Sequence, residues 1–520
     1  MSEARIYARN LAANWIGHAA HLVVLFFLSP FIVRTLGRTE YGIWSLINIL
    51  TGYMGVLDLG VRASTGRHIA LHLGKGDREA ADQTVRTGLF FFSVMGLIVV
   101  LAGVVLGLGF PYFFTSVRKE YHTLIACLLP LMALNIWVGC LGSVFSSVLT
   151  ANQRFDLARG LDLLVLAMRS IGAVFVLTRG YGLTGFAVVV FVSSALAAVG
   201  NYLLARRVQP TLRAWPPSAH RARLKEMLGY GMAIFVSRVC VRLTGQTGLV
   251  VVGAVITVAE VTTYSVGAMI VFYTGSFILR IRQTFFPAVQ QAVARGDLES
   301  ARWLFLRQVR LAMVAGIPAY VGFIVFGREF VHLWMFHPVE FPEASVVGAA
   351  GVMAILSLSK ALELLRIGSE GLLNSMGYIK LTASLNVAQT VVALSLAVLF
   401  PVALGWGILG VAAGNLVGCT LVGAFTMPWC ACRKAGMSWR RHLWRIGIPA
   451  AMAGALFAGV CLAVKHVMPS RSWGEFFLKV VIALVLYVPV ALALLVPAQD
   501  RKRLLAMARM GRWVGQGKQA

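Results

Sequence analysis

The chain has 520 residues, of which 58% are hydrophobic and only 13% are charged, whereas soluble domains average about 25% charged residues. Its formal net charge is +27, from 47 lysines and arginines against 20 aspartates and glutamates. This composition excludes a disordered chain and a small disulfide-stapled secreted protein, and it disfavours a soluble enzyme. It predicts one polytopic membrane protein of the all-α class.

Fourteen apolar segments are long enough to cross a bilayer, because a helical span needs roughly 20 mostly apolar residues. The first runs from Leu11 to Val33. It is too long for the apolar region of a signal peptide and no cleavage site follows it, so we interpret it as a span. In chain order the predicted spans are residues 11–33, 41–65, 87–110, 121–149, 160–178, 182–205, 227–252, 257–280, 304–327, 344–371, 378–401, 405–430, 444–467 and 474–497.

Basic residues are unevenly divided between the loops on the two sides of the membrane. With the N-terminus in the cytoplasm, the cytoplasmic segments hold roughly four times as many lysines and arginines as the outer loops. This bias predicts cytoplasmic N- and C-termini and explains the net charge without a nucleic-acid partner. The seven cysteines lie in or at the ends of spans and form no metal-like pair, so we predict no disulfide framework, no metal site and no cofactor.

An internal repeat at a spacing of 220 residues organises the chain. RTEYGIWSL at 38–46 aligns with VAEVTTYSV at 258–266, and GDREAA at 76–81 aligns with GDLESA at 296–301. Each copy holds six predicted spans, and an even number gives both copies the same orientation. We therefore predict two six-helix lobes in a parallel pseudo-twofold repeat, followed by two C-terminal helices. The predicted parts are an N-lobe at 1–205, a cytoplasmic linker at 206–226, a C-lobe at 227–435, and the last two spans with a basic cytoplasmic tail at 436–520.

The opening of the chain resembles that of bacterial polysaccharide-export (Wzx-type) flippases. The segment NWIGHAAHLVVLFFLSPFIVRTLGRTEYGIWSLINILTGYMGVLDLGV at 14–61 carries a Pro-Phe near the end of span one, then LG-x-x-x-YG-x-W and a DLG. These flippases belong to the multidrug/oligosaccharidyl-lipid/polysaccharide exporter superfamily. The resemblance implies a transporter, not an enzyme. It would move an undecaprenyl-pyrophosphate-linked oligosaccharide from the inner to the outer leaflet of the bacterial cytoplasmic membrane, with membrane lipids and the polysaccharide polymerase machinery as partners.

Ionisable residues inside predicted spans are the candidates for transport, because a charge at the bilayer centre costs about 2.5–3.5 kcal/mol even on insertion scales. Span seven carries Arg238, Arg242 and Gln246 at steps of four residues, on one helix face. Guanidinium groups bind phosphate oxygens bidentately, so we predict that this pair binds the lipid pyrophosphate. Ion pairing with an acid of another span, such as Glu363, is the alternative.

Span ten carries a predicted ladder of alternating charge. Lys360, Glu363, Arg366 and Glu370 follow one another at steps of three, three and four residues. One interpretation is purely structural, with ion pairs inside the helix. The other is a hydrated wall of the transport cavity, in which Lys360 and Arg366 bind substrate and Glu363 exchanges a proton.

Spans one and two supply the remaining candidates. Asn14 and His18 share one stripe of span one, where they either bind substrate or hydrogen-bond to neighbouring helices. Asp58 aligns with Ile278 in the second copy, so the acid is unique to the first. It is a candidate for coupling transport to an ion, and a helix-end ion pair with Arg62 is the alternative.

Three other functions are alternatives to a flippase. An ion-coupled multidrug or small-molecule exporter of the same superfamily would need cavity acids for organic cations, whereas these spans hold several arginines and lysines. A non-transport scaffold of polysaccharide assembly leaves those charges unexplained. A membrane enzyme of such a pathway would need a large outer loop or an early outer acidic motif, and the longest predicted outer loop is only residues 328–343.

Overall fold

A computed structural model of the chain shows the fold as two compact units. Unit 1 comprises residues 1–262 and 337–341, and unit 2 comprises residues 263–336 and 342–520. The part of the chain that the structure describes is helical apart from turns and one isolated bridge, which confirms the predicted all-α class. The described residues are 3–497 and 501, without the side chains of 3–19, 57, 63, 228–234, 236–238 and 241.

Unit 1 contains seven helices and the start of an eighth. The first two predicted spans lie on either side of a kink in α1, where Gly37 adopts φ 74°, a conformation that costs glycine little because it has no Cβ. The helices are α1 (Glu3–Met54), α2 (Val61–Gly74), α3 (Arg78–Phe113), α4 (His122–Ala151), α5 (Phe155–Thr178), α6 (Gly182–Val208), α7 (Arg221–Val251) and α8 (Val258–Ala294), of which α8 continues into unit 2.

The second predicted span, residues 41–65, is wrong as one continuous helix. After α1 the chain forms a 3-10 turn at Gly55–Asp58, and Leu59 and Gly60 then adopt φ 48° and 73°. Left-handed backbone at two successive residues ends a helix. A new helix, α2, begins at Val61.

The described part of unit 2 holds the rest of α8 and nine further helices. The tenth predicted span, residues 344–371, is also interrupted, because α10 ends at Glu363 and Gly368 adopts φ 88° before α11 begins. The helices are α9 (Leu298–Met335), α10 (Glu343–Glu363), α11 (Ser369–Ser375), α12 (Ile379–Leu404), α13 (Gly407–Gly418), α14 (Met427–Lys434), α15 (Trp439–His442), α16 (Ile448–Val467) and α17 (Trp473–Leu494); π-helical segments at 419–426 and 443–447 join α13 to α14 and α15 to α16.

The described residues do not decide the predicted count of fourteen membrane spans. Among the described residues, twelve helices are long and apolar enough to cross a membrane. One of the twelve, residues 20–54, contains parts of the first two predicted spans, and Arg242–Ile256 is a shorter apolar helix formed by the end of α7 and the π-helical segment after it. The count of fourteen, the orientation and the lobe boundaries stay predictions. In the structure, α7 lies in unit 1, where it packs against α1, α2 and α3.

The two GD loops of the sequence repeat have the same local geometry. Gly76 and Gly296 adopt φ 75° and 74°. Asp77 and Asp297 follow them, and each carboxylate accepts a hydrogen bond of 2.9 Å from the backbone N–H three residues further on. An aspartate at the N-cap satisfies one of the free N–H groups of a helix start. The repeated Gly-Asp motif therefore encodes the same turn and helix start before α3 and before α9.

Helices α12 and α13 pack with their backbones in direct contact. A Cβ added at Gly414 would lie 2.3 Å from the backbone nitrogen of Ala397, and one added at Gly418 would lie 2.4 Å from Cα of Ala393. Small residues at such positions allow close helix packing in membranes. The two glycines therefore set the separation of this helix pair.

Replacing Gly414 by alanine should destabilise the protein by about 1–3 kcal/mol, because the added methyl group must push α13 away from α12. Thermal unfolding of the purified protein in detergent measures the effect. Gly459→Ala in α16 is the matched control, since no atom lies within 4 Å of a Cβ built there. Unfolding midpoints that fall equally for both variants would contradict this role of Gly414.

Candidate functional site

Arg242 of α7 lies against the backbone of α1 in unit 1. A Cβ added at Gly52 would lie 2.1 Å from Arg242 Nη2, so the guanidinium occupies the space that glycine leaves free. Five residues along α7, the Thr247 hydroxyl forms a hydrogen bond of 2.9 Å with the hydroxyl of Tyr53. These contacts hold Arg242 and Thr247 of α7 beside Gly52 and Tyr53 of α1.

Arg242 keeps hydrogen-bonding capacity that the described residues do not use. Its Nε is buried without a hydrogen-bond partner, as is Oε1 of Gln246. Within the described part of the chain, no carboxylate forms an ion pair with Arg242. Unsatisfied buried polar atoms are rare in native proteins, and a guanidinium in this condition suits an anionic ligand.

Three predicted members of this site lie outside the described side chains. They are Arg238 in α7, and Asn14 and His18 in α1. Their predicted contacts with substrate stay predictions.

The predicted ladder of span ten begins with an ion pair in unit 2. Lys360 Nζ donates to Glu363 Oε2 at 2.7 Å, and it lies 5.9 Å from the centre of the Phe272 ring. Glu363 also forms a hydrogen bond with the thiol of Cys419, in the π-helical segment after α13. The acid that the sequence offered as an alternative partner for Arg242 thus has two partners within its own unit.

Arg366 belongs to a different network, so the prediction of one ladder along one helix face is wrong. Because α10 ends at Glu363, the next three residues turn, and Arg366 donates to Oε1 of Gln389 and Oδ1 of Asn386 on α12. Its guanidinium is 3.9 Å from the carboxylate of Glu370 in α11. Arg366 thus finds its partners on α12 and α11, and not within one continuous helix as the structural interpretation assumed.

Asp58 stabilises the break between α1 and α2. Its Oδ1 accepts the backbone N–H of Gly60 at 2.8 Å, a local bond typical of aspartate in turns. Arg62 Nη2 donates to Cys140 Sγ at 3.3 Å. The i to i+4 helical geometry assumed for Asp58 and Arg62 does not exist, because the left-handed residues lie between them. Ion coupling by Asp58 stays a prediction.

A polar cavity of about 360 Å³ opens within unit 1 between α1, α4, α5 and α6. Asp162, Arg169 and Asn201 are among the residues that line it. Arg169 donates to the hydroxyls of Ser193 and Ser194, each at 3.0 Å. The sequence gives little signal for this site, because Asp162 and Arg169 are seven residues apart in span five and the serine partners of Arg169 lie on the next helix.

Comparisons with known proteins agree with this architecture. Residues 31–336 match the family model described as polysaccharide biosynthesis protein. The chain is 21% identical over 418 residues to a "Putative O-antigen transporter" of Shigella flexneri, a match that covers 78% of this chain and 93% of that protein.

Two solved structures show the same fold. An inward-facing multidrug resistance transporter of the MATE family and MOP superfamily has a TM-score of 0.69 at 16% identity, over 81% of this chain and 98% of its own. The lipid II flippase MurJ in an inward closed conformation has a TM-score of 0.68 at 13% identity, over 92% of this chain and 97% of its own.

Proposed function

The chain belongs to the polysaccharide biosynthesis protein family, and from this premise we propose that it flips an undecaprenyl-pyrophosphate-linked oligosaccharide from the inner to the outer leaflet of the bacterial cytoplasmic membrane. It is a multi-pass membrane transporter of polysaccharide biosynthesis and not an enzyme. The O-antigen transporter and the lipid II flippase among its relatives support a lipid-linked glycan as cargo. The flipped product would feed the polysaccharide polymerase machinery.

The observation that carries the proposal is the guanidinium of Arg242 beside Gly52, whose buried Nε has no hydrogen-bond partner among the described residues. A pyrophosphate supplies several anionic oxygens, and arginine binds such groups through two parallel hydrogen bonds. The polyprenyl chain stays in the lipid while the head group contacts protein. We propose that Arg238 and Gln246 contact the same head group. The other proposed substrate contacts are Asn14, His18, Lys360 and Arg366. The proposed ion-coupling groups are Asp58 and Glu363.

The ion pairs of Glu363 and Glu370 favour a lipid-linked glycan over an organic cation as the cargo. In the described part of unit 2, Glu363 pairs with Lys360 and Glu370 pairs with Arg282, each at 2.7 Å. An exporter of organic cations needs an acid without a cationic partner, and neither carboxylate meets that need. The charged group with an unpartnered buried atom among the described residues of the α7 site is the cation Arg242, through its Nε, and a cation favours an anionic ligand.

We further propose transport by alternating access, with a closure at the predicted outer end of unit 1. Arg38 Nη2 donates to Glu260 Oε1 at 2.7 Å, and the Thr262 hydroxyl donates to the backbone oxygen of Arg38 at 2.6 Å. These bonds join the Gly37 kink of α1 to the start of α8. Release of the head group to the outside would require them to break.

Reversing one charge of this closure should lower transport severalfold, because Arg38→Glu or Glu260→Arg places like charges together. The double exchange restores the attraction and should recover most of the transport. The matched control is the same exchange at Arg118 and Glu120, a predicted outer pair that is 79% and 59% exposed, which should have no effect. Normal transport in both single variants would contradict the proposed closure.

The cargo is tested in a strain from which the gene has been deleted. Membrane lipids are analysed by mass spectrometry, and a leaflet-specific glycan label reports where the polyprenyl-linked oligosaccharide resides. We expect it to accumulate in the inner leaflet and to return to normal when the intact gene is restored. Absence of any accumulation would reject the flippase proposal in favour of small-molecule export.

A further inference from the structure

A cluster of possible metal ligands lies in unit 1, apart from the transport residues. His68 and His72 are one turn apart on α2, and Glu226 lies in the second turn of α7. One nitrogen from each histidine and one carboxylate oxygen all lie within 4.8 Å of one another. Two imidazoles at i and i+4 with a carboxylate from a second helix form a ligand set typical of zinc.

Three of the four ring nitrogens of these histidines are buried without a hydrogen-bond partner among the described residues. His72 is only 7% exposed, and its Nε2 has no hydrogen-bond partner among the described residues. In the same part of the chain, both ring nitrogens of His68 are buried without a partner. The two rings stack with their centres 6.2 Å apart. Burial lowers the pKa of both imidazoles, which favours the neutral form that binds metals.

We propose that His68, His72 and Glu226 bind a divalent transition metal ion of the zinc class, with water as the fourth ligand. Tetrahedral zinc with bonds of about 2.0–2.1 Å places its ligand atoms about 3.3 Å apart. The exposed side chain of Glu226 closes the remaining distance by changing rotamer. The bound ion ties the start of α7, and with it the arginine segment of that helix, to α2.

The guanidinium of Arg223 competes with the metal ion for the carboxylate of Glu226. Its Nη1 donates to Glu226 Oε2 at 3.2 Å, so a metal ion and this guanidinium share one carboxylate. Removal of the competing charge should therefore strengthen metal binding. A merely structural role for the histidines gives no reason for Arg223→Gln to change the affinity for zinc.

The test uses the full chain, purified in detergent and stripped of metal with a chelator. Equilibrium dialysis against zinc, with elemental analysis, should give one ion per chain. His68→Gln, His72→Ala and Glu226→Gln should each weaken binding at least tenfold, and Arg223→Gln should tighten it severalfold. Cobalt as a spectroscopic probe should give the intense visible absorption of a four-coordinate site. His466→Ala, an exposed histidine of α16, is the control and should bind as the unmodified chain does.

Thermal unfolding provides a readout that is independent of affinity. Zinc should raise the unfolding midpoint of the unmodified chain and of His466→Ala, but not that of His68→Gln. We expect His68→Gln to fold, because the side chain of His68 is only half-buried. Binding that is absent, or that persists unchanged in the three ligand variants, would overturn the proposal. Neither result bears on the flippase proposal, because no residue of the cluster belongs to the transport site.

Discussion

Replacing Arg242 by glutamine should lower transport of the lipid-linked oligosaccharide at least tenfold, and replacing Arg238 as well should abolish it. Hydrogen bonds to charged groups contribute about 1.5–3 kcal/mol each, and about 1.4 kcal/mol corresponds to a factor of ten. Glutamine keeps a polar side chain of similar length but removes the positive charge and the two-pronged donor geometry. The leaflet label in the deletion strain measures the effect.

Two further variants show whether the loss comes from this guanidinium. Arg242→Lys keeps the charge without the planar donor pair and should transport at an intermediate rate. Gly52→Leu leaves the arginine in the sequence but fills the space that its Nη2 occupies, and should also impair transport. Arg206→Gln, an exposed arginine at the end of α6, is the control and should transport normally. Normal transport by the Arg238/Arg242 double variant would remove both residues from the mechanism.

Replacing Glu329 by glutamine should destabilise unit 2 by about 3–5 kcal/mol, because it leaves a buried cation without its partner. The side chain of Lys479 in α17 is fully buried, and its Nζ donates to Glu329 Oε2 of α9 at 2.5 Å. Lys465 of α16 lies 3.9 Å from the same carboxylate, and the Phe326 ring covers the Lys479 ammonium at 5.5 Å. Glu329 of α9 thus binds α16 and α17, the two helices that follow the sequence repeat.

The expected result is a fall of several degrees in the thermal unfolding midpoint of the purified Glu329→Gln protein. A double replacement, Glu329→Leu with Lys479→Met, removes both buried charges and should be more stable than the single variant, since apolar residues of similar volume tolerate burial. Glu475→Gln, at the exposed start of α17, is the control. An unchanged midpoint for Glu329→Gln would show that the triad contributes little to stability.

Local sequence patterns predicted the helical class, and the aligned GD motifs marked two connections that have the same geometry in the structure. Apolar length decides whether a segment forms a span, and a glycine followed by aspartate directly encodes the turn and cap that Gly76 and Asp77 form before α3. The same logic identified Arg242 as an unusual charge in a span. These features depend on residues close together in the chain, so a single sequence contains them.

Helix breaks and long-range partners were not predictable in the same way. Leu59 adopts a left-handed conformation that its residue type disfavours, and the break there removes the predicted pairing of Asp58 with Arg62. Arg366 finds amide partners on another helix because α10 ends early. The metal-like cluster needs Glu226, which is far from its histidines in sequence. Two histidines four residues apart in α2 were the only available signal, and we predicted no metal site.

The most direct test of the account is flipping by the purified chain alone. Proteoliposomes receive polyprenyl-pyrophosphate-linked oligosaccharide in one leaflet, and a membrane-impermeant glycan label reports its arrival in the other. The account predicts transfer with the unmodified chain and none with the Arg238→Gln/Arg242→Gln variant, at equal amounts of folded protein. Transfer no faster than in protein-free liposomes, or equally fast with the double variant, would contradict it.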